Sequence, residues 1–96
     1  MIRNFKSKTA QDIYDGIRSR DARKVSMELH AKIQRLFDQL NAVVHIETLR
    51  VPPSNRLEKL KGSLNGYWSL RVNKQWRVIF QWKAGEVFNI DVVDYH

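Results

Sequence analysis

Three runs of alternating apolar and polar residues in the C-terminal half constrain the fold more than any other feature of the chain. The apolar members are Trp68, Leu70 and Val72, then Trp76, Val78, Phe80 and Trp82, then Phe88, Ile90 and Val92. A period of two places these side chains on one face of a strand and their polar neighbours on the other. Two polar turns separate the runs. The first, Asn73-Lys74, is interpreted as a two-residue hairpin turn with a positive φ at Asn73, and the second is Lys83–Glu86. The pattern predicts an antiparallel meander with one buried face.

The N-terminal half has helical periodicity instead. A first helix is capped by Ser7 or Thr9. Its apolar residues at helical spacing are Ala10, Ile13, Tyr14 and Ile17, and the residues expected to face water are Gln11, Asp12 and Asp15. A second helix is predicted from an N-cap at Asp21 to about Asn41. Its apolar stripe, read as core packing, is Val25, Leu29, Ile33, Leu36, Phe37 and Leu40, and His30 beside it is interpreted as structural.

Shorter elements join these two halves. Ile2 and Phe5 bracket a segment that predicts a strand added to the sheet, while Ile46 and Leu49 predict one helical turn. Pro52 and Pro53 then enforce an extended chain, and the alternation over residues 55–60 favours a further short strand. The predicted class is α+β, with two N-terminal helices packed on a mostly antiparallel twisted sheet.

The chain has 96 residues, which suits one domain spanning residues 1–96. No run is apolar enough for a membrane span, and MIRNFKSK lacks the apolar core of a signal peptide, so a cytoplasmic protein without membrane contacts is expected. There is no cysteine, and the three histidines have no metal-ligand spacing. Neither a metal nor another cofactor is predicted.

Basic residues are concentrated in one part of the chain. The net charge is +7, and residues 50–77 hold seven basic residues against Glu58 alone. Such a cluster attracts polyanions, although a small protein can carry a basic surface for solubility alone. Charge by itself therefore leaves both interpretations open.

The period of two also places Arg71, Arg77 and Tyr95 together on the face away from the helices. Tight hairpins can bring Asp94 and His96 to Arg77, with Glu58 and Lys61 arriving from the preceding strand and turn. These residue types suffice for metal-free cleavage of a phosphodiester, which needs a base, cations around the charged phosphorane and an acid. RNA is the expected substrate because only RNA supplies an internal 2′-hydroxyl nucleophile.

Each of these residues also has a structural interpretation that the sequence leaves open. Lys61 can be a turn residue, and Arg77 can pair across strands with Asp91 or Glu86. Asp94 can cap a strand end, Tyr95 can fill a gap at the sheet edge, and His96 can fray as the last residue.

The stretches that carry a family resemblance are LKG, GYWSLRV, QWRVIF and the terminal DYH, with MIRNF at the other end. The chain resembles the HigB-type killer proteins of the RelE/ParE toxin superfamily over essentially its full length. The resemblance implies two N-terminal helices against a mostly antiparallel sheet. It also implies a ribosome-dependent mRNA endonuclease that cuts messages in the decoding site, which is formed by 16S rRNA. A helix-turn-helix (HigA-like) antitoxin is the inhibitor that the resemblance implies.

Position by position, the resemblance assigns phosphate contacts to Lys61 and Arg77 and a terminal catalytic group to Asp94, Tyr95 and His96. Glu58 departs from the family pattern, since some nuclease members read HPLKG where this chain reads EKLKG. A carboxylate can act as a base but offers no imidazolium, so the 2′-hydroxyl can be activated by Glu58, Asp94 or His96. The basic residues expected to contact RNA are Arg56, Lys59, Lys61, Arg71 and Lys74.

Two other functions remain open at this point. ParE-type relatives inhibit a protein target such as DNA gyrase without catalysis, and the departure at Glu58 weakens the preference for a nuclease. An RNA-binding module without turnover is the other alternative.

Overall fold

Four antiparallel strands, adjacent in sequence order, form the sheet in the computed structural model, which describes residues 1–95. The strands are β1 (Glu58–Lys59), β2 (Trp68–Arg71), β3 (Trp76–Lys83) and β4 (Glu86–Asp94). In the register, Leu70 lies opposite Val78, which lies opposite Val92. The α+β class and the meander predicted from the alternation are both confirmed.

The N-terminal segment joins the sheet beside β4. Ile2 bridges to Val87 and Phe5 to Ile90, both in the parallel direction, and Arg3 N–H donates to the Val87 carbonyl at 2.8 Å. The expected extra strand is therefore present as two bridges that cover the outer edge of β4.

Helix α1 (Lys8–Asp15) begins at an N-cap and ends at a glycine. The Ser7 hydroxyl accepts a hydrogen bond from Ala10 N–H, which confirms one of the two predicted caps, and Gly16 ends the helix with a φ of 72°. Asp12 was expected to face water, but it is 4% exposed. Its carboxylate accepts hydrogen bonds from Lys8 Nζ at 2.6 Å and from Ser19 Oγ at 2.5 Å, so these two partners satisfy it beneath the loop that follows α1.

Helix α2 (His30–Ala42) is shorter than predicted. Two 3-10 turns, Ala22–Lys24 and Met27–Leu29, stand in place of its first part, and Asp21 makes no capping hydrogen bond. The chain is extended at Val25 (φ −105°, ψ 132°), which breaks the helical path there. His30 Nε2 lies 3.0 Å from the carbonyl oxygens of Ala22 and Val25, so its N–H ties the first turn and the residue that ends it to the start of α2, in the structural role expected.

The core lies between the two helices and one face of the sheet. Phe37 and Leu40 of α2 and Ile13 of α1 pack in one cluster with Leu70, Val78, Phe80 and Ile90, all at most 1% exposed. Burying such side chains stabilises the fold by about 25 cal/mol per Å² of apolar surface. Trp68 and Trp76 pack against this cluster, which confirms the predicted inner face.

A β-bulge in β4 changes which residues of that strand are buried. Ile79 lies opposite Asp91 and Gln81 opposite Phe88, so Asn89 and Ile90 face the single residue Phe80. Asn89 has a φ of 53° and bonds to Asn4 and Gln81 through its side chain. Strict alternation predicted Phe88 in the core; the prediction is wrong, because the extra residue shifts the phase and Val87 is buried there instead.

The two hairpin turns differ in type. Between β2 and β3 the loop has four residues, 72–75, and Val72 N–H donates to the Trp76 carbonyl at 3.0 Å. Asn73 does not have a positive φ, so the two-residue turn predicted for Asn73-Lys74 is wrong. Its side-chain oxygen accepts from the N–H groups of Gln75 and Trp76, which closes the turn without a left-handed residue. Ala84 and Gly85 do have positive φ, as a two-residue turn between β3 and β4 requires.

The connector between the halves contains two short turns, Ile46–Arg50 and Pro53–Asn55. The first is the helical turn predicted there, and β1 is the short strand expected within residues 55–60. No helix within residues 1–95 is long and apolar enough to cross a membrane.

Asp12 generates a prediction about acid stability. The hydrogen bond from Lys8, followed by that from Ser19, lowers the pKa of Asp12 below its ordinary value. A carboxyl with a lowered pKa in the folded state stabilises the fold above its unfolded pKa of about 4, and that contribution is lost as the pH falls through the folded pKa. Asp12→Asn should therefore lower the free energy of unfolding at pH 7, and its deficit should shrink below about pH 4.

Urea unfolding followed by tryptophan fluorescence between pH 3 and pH 7 measures this difference. Asp15→Asn is the matched control, because Asp15 lies exposed on the same helix and accepts only from Gln11. Equal stability of the two variants across the whole range would contradict the role of Asp12.

Candidate active site

The sheet face opposite the helices gathers most of the residues that can carry chemistry. Directly paired residues project to the same side, and Glu58 pairs with Ser69, while Arg71 pairs with Arg77 and Arg77 with Val93. Tyr95 follows Val93 by two residues and lies on the same side. The predicted grouping of Arg71, Arg77 and Tyr95 on the outer face is thus observed, and Glu58 joins it from β1.

An ion pair between Arg77 and Glu58 lies at the centre of this face. Arg77 Nη1 is 3.6 Å from Glu58 Oε1, and the Arg77 side chain is only 13% exposed whereas that of Glu58 is 50% exposed. Arg77 also lies against the ring of Tyr95, 5.0 Å from guanidinium carbon to ring centroid. The aromatic ring and the sheet shield the cation, while the carboxylate stays open to solvent.

The cross-strand partners considered for Arg77 are engaged elsewhere. Asp91 accepts from the Ser7 hydroxyl at 2.5 Å, and Glu86 pairs with the N-terminal amine at 3.1 Å. Arg77 therefore pairs with Glu58 and not with Asp91 or Glu86.

Arg71 adds a second positive charge directly opposite Arg77 in the β2–β3 register. Like charges facing each other on adjacent strands are destabilising. Glu58 neutralises Arg77 alone, and the ion pairs of the described residues include none for Arg71. Within residues 1–95, Arg71 is thus a cation without an ion-pair partner, next to a carboxylate that solvent can reach, so an anion bound there would relieve the repulsion.

Two polar atoms under this face have no hydrogen-bond partner among residues 1–95. They are Arg77 Nη1 and Ser69 Oγ, and Ser69 is fully buried. Buried polar groups without partners are uncommon in folded proteins and mark sites of strain or function. Ser69 was not predicted from the sequence as a site residue. The alternation of the strand indicated only that it lies on the same face as Tyr67 and Arg71.

The C-terminal residues separate into different positions. Tyr95 N–H donates to the Gln75 carbonyl at 2.6 Å, which holds the ring near Arg77. Asp94 pairs with Trp76 on the other side of the sheet, and its carboxylate accepts from Gln75 Nε2 at 3.0 Å. His96 lies outside the described residues. The structure therefore brings Tyr95, and not the Asp94 carboxylate, to Arg77.

Lys59 and Lys61 do not join the ion pair. Lys59 lies opposite Trp68, on the other side of β1 from Glu58, with its ammonium 5.8 Å from a Trp68 ring centroid. Lys61 is exposed at the start of the Gly62–Leu64 turn. Both lysines flank the site at the β1 end.

A basic cleft adjoins the same face at the edge of the sheet beyond β1. It has a volume of about 370 Å³ and is lined by Lys32, Ser54, Arg56, Arg71, Val72, Asn73 and Lys74. Lys32 reaches it from α2, where its ammonium donates to the Val72 carbonyl at 2.5 Å. No acidic residue lines the cleft. Arg71 belongs to both the basic cleft and the outer face and so connects them.

Among residues 1–95, no group of three or more His, Asp or Glu side chains is arranged to hold a metal ion. The outer face offers a solvent-accessible carboxylate, two guanidinium groups and an aromatic ring within one surface. This set can transfer a proton, neutralise a phosphate and stack on a base.

Comparison with solved structures supports the same architecture. A YafQ mutant from E. coli superposes with a TM-score of 0.63 over 98% of this chain and 91% of that one, at 18% sequence identity. At this level of identity the similarity establishes the fold.

Comparison of sequences is more specific. Toxin HigB-1 of Vibrio cholerae is 37% identical over 89 residues, 93% of this chain and 92% of the relative. Endoribonuclease HigB of Proteus vulgaris is 28% identical over 102 residues and the whole of both chains. A family model described as the RelE-like toxin of type II toxin-antitoxin system HigB matches residues 3–96. Because that match spans nearly the entire sequence, the chain belongs to the HigB-like family of RelE-like toxins.

Proposed function

We propose that this toxin is a ribosome-dependent endoribonuclease that cleaves mRNA and so stops translation. The observation that carries the proposal is the ion pair between Glu58 and Arg77, placed on an open sheet face with Arg71 directly opposite. The name of the Proteus vulgaris relative supports an RNA substrate.

Glu58 is the proposed base that takes the proton of the ribose 2′-hydroxyl. Its side chain is half exposed, so a substrate can reach it, and Arg77 keeps it oriented. A positioned base of this kind contributes about 10²- to 10⁴-fold to a rate. The carboxylate therefore takes over the proton transfer for which other family members carry a histidine.

Arg77 and Arg71 are the proposed phosphate ligands. Attack of the 2′-oxygen on phosphorus adds negative charge to the phosphorane, and two guanidinium groups on facing strands can stabilise that charge. Guanidinium forks match the oxygens of a phosphate in pairs. Tyr95, already held against Arg77, is placed to stack on a neighbouring base.

The leaving 5′-oxygen must receive a proton as its bond to phosphorus breaks. We assign that proton to His96, the residue after Tyr95 in the chain. Asp94 is assigned a positioning role, because its carboxylate bonds to Gln75, whose carbonyl also holds Tyr95. The products are a 2′,3′-cyclic phosphate and a 5′-hydroxyl.

The basic cleft is the proposed path of the RNA backbone away from the scissile phosphate. Arg56, Lys74 and Lys32 line it beside Arg71. Lys59 and Lys61 extend the positive surface at the β1 end. The basic cleft and these two lysines together would hold mRNA in the decoding site and contact 16S rRNA there.

The partner that restrains the toxin is proposed to be a helix-turn-helix antitoxin of the HigA type. Family membership places the protein in a type II toxin-antitoxin system, in which a toxin is paired with an antitoxin. A gene for a short helix-turn-helix protein directly beside this one is the observation expected from the genome.

Removing either member of the ion pair should strongly slow cleavage while leaving the fold intact. Glu58→Gln and Arg77→Gln are each expected to lower the rate about 100- to 1,000-fold, because one removes the base and the other a charge at the phosphorane. Purified protein incubated with translating ribosomes, followed by mapping of new 5′ ends, measures the rate. Glu47→Gln is the control, since Glu47 is an exposed acid that pairs with Arg50 in the connector.

The same assay decides between the functions that the sequence left open. Cleavage by Glu58→Gln at the wild-type rate would show that Glu58 is not the base. Intact messages together with growth arrest and accumulating gyrase-linked DNA breaks would favour inhibition of gyrase. Bound RNA without fragments would favour a binding module.

Arg77 should contribute little to stability despite its burial. Its Nη1 is buried without a hydrogen bond, so Arg77→Met is expected to leave the free energy of unfolding unchanged or raise it by up to about 1 kcal/mol. Leu70→Ala, at a core position that is 0% exposed, should instead lower it by about 2–5 kcal/mol. Urea denaturation of both variants tests the contrast, and equal destabilisation would mean that Arg77 is a structural residue.

The basic cleft should contribute an electrostatic share of RNA binding. Arg56→Gln with Lys74→Gln is expected to weaken binding of a single-stranded RNA and to lower the slope of log K against log salt by about 1.4, or 0.7 per lost phosphate contact. Fluorescence anisotropy at several salt concentrations measures the slope. Arg3→Gln with Lys83→Gln removes the same charge from exposed positions outside the cleft, and an equal loss in both doubles would contradict the path.

A further inference from the structure

The ion pair between Arg77 and Glu58 joins two strands that are not neighbours. The sheet order places β2 between β1 and β3. Adjacent strands lie about 4.8 Å apart, so β1 and β3 are separated by about 10 Å. Arg77 Nη1 nevertheless lies 3.6 Å from Glu58 Oε1, so the two side chains meet above β2.

Ser69 is the β2 residue at that crossing. On β1, Glu58 lies directly opposite Ser69. On β3, Arg77 is a diagonal neighbour of Ser69, because Arg77 pairs with Arg71, two residues after Ser69 in β2. All of these side chains project to the outer face. The small side chain of Ser69 leaves room for the pair, and Ser69 is fully buried beneath the outer face.

The hydrogen-bonding capacity at this point is incomplete. Within the described part of the chain, Ser69 Oγ and Arg77 Nη1 are both buried without a hydrogen-bond partner. The 3.6 Å between Arg77 Nη1 and Glu58 Oε1 is longer than a hydrogen bond. A hydroxyl has one donor and two acceptor positions, so it can accept from a guanidinium and donate to a carboxylate at once. Ser69 has the chemistry to link the other two residues.

We propose that Ser69 is a positioning residue for the Glu58–Arg77 pair. When Arg77 turns toward the phosphate of a bound strand, the Ser69 hydroxyl accepts from Arg77 Nη1 and donates to the Glu58 carboxylate, so that the base keeps its orientation after its cation has moved. Without substrate, the 3.6 Å contact between Arg77 and Glu58 is loose, so Arg77 can leave Glu58 when the strand binds. This role of Ser69 rests on the proposed function, since it concerns the same reaction.

Three substitutions separate the hydroxyl from the size of the side chain. Ser69→Thr keeps the hydroxyl and adds bulk, Ser69→Val has the bulk without the hydroxyl, and Ser69→Ala has neither. Single-turnover cleavage of ribosome-bound mRNA should slow about 10-fold in the Ala and Val variants and recover in the Thr variant, because a hydrogen bond to a charged group is lost in the first two. The concentration giving half-maximal rate should not change, since the phosphate ligands remain.

Thr and Val have nearly the same shape, so any packing defect appears equally in both. Loss of rate in Thr and Val with full activity in Ala would show that only size matters and would overturn the proposal. Wild-type rates in all three variants would also overturn it, as would a changed half-saturation with an unchanged maximal rate.

A second measurement does not depend on cleavage. NMR of the Arg77 guanidinium protons, with a strand bound whose scissile 2′-hydroxyl is replaced by hydrogen, should show slowed exchange in the wild type and the Thr variant and faster exchange in the Ala and Val variants. Identical exchange in all four proteins would overturn the role of Ser69. If the wild type cleaves no message, the proposed function fails while this comparison still decides whether Ser69 bonds to Arg77.

Discussion

One face of the sheet packs against the helices and forms the core, and the rest of the molecule depends on that packing. Leu70, Val78 and Ile90 point toward α2 because alternate residues of a strand share a side. Their burial supplies the hydrophobic stabilisation of a chain with a single core. The residues between them are then forced onto the opposite face, whatever their charge. Arg71 and Arg77 lie on the outer face for this reason.

Stability and chemistry compete on that outer face. Arg71 and Arg77 face each other across two strands, and Arg77 carries a buried nitrogen without a hydrogen bond. Neither arrangement favours folding. In the proposed mechanism both become favourable when a phosphate binds, since it accepts hydrogen bonds and cancels charge. The same contacts would then stabilise the charge that develops on the phosphorane.

The fold was largely predictable from local patterns, and the errors have local physical causes. Helical and strand periodicities located both helices and all the long strands. Phe88 was misplaced because an extra residue at Asn89 shifts the phase of β4, a change that no periodicity contains. Asp12 was assigned to water because a carboxylate is usually exposed, whereas Lys8 and Ser19 satisfy it in a buried position. In each case a specific side-chain contact replaced the average behaviour of the residue type.

The sequence alone determined the sheet, its buried face, the position of most basic residues and, through its motifs, the family. It could not determine which acid pairs with Arg77, because the predicted sheet can bring Glu58, Asp91 or Glu86 close to that arginine. Tertiary structure decided for Glu58, since Ser7 and the N-terminal amine engage the other two. It also brought Lys32 of α2 to the edge of β2. These are contacts between residues distant in sequence, and their distances follow from how strands and helices pack rather than from the order of residues.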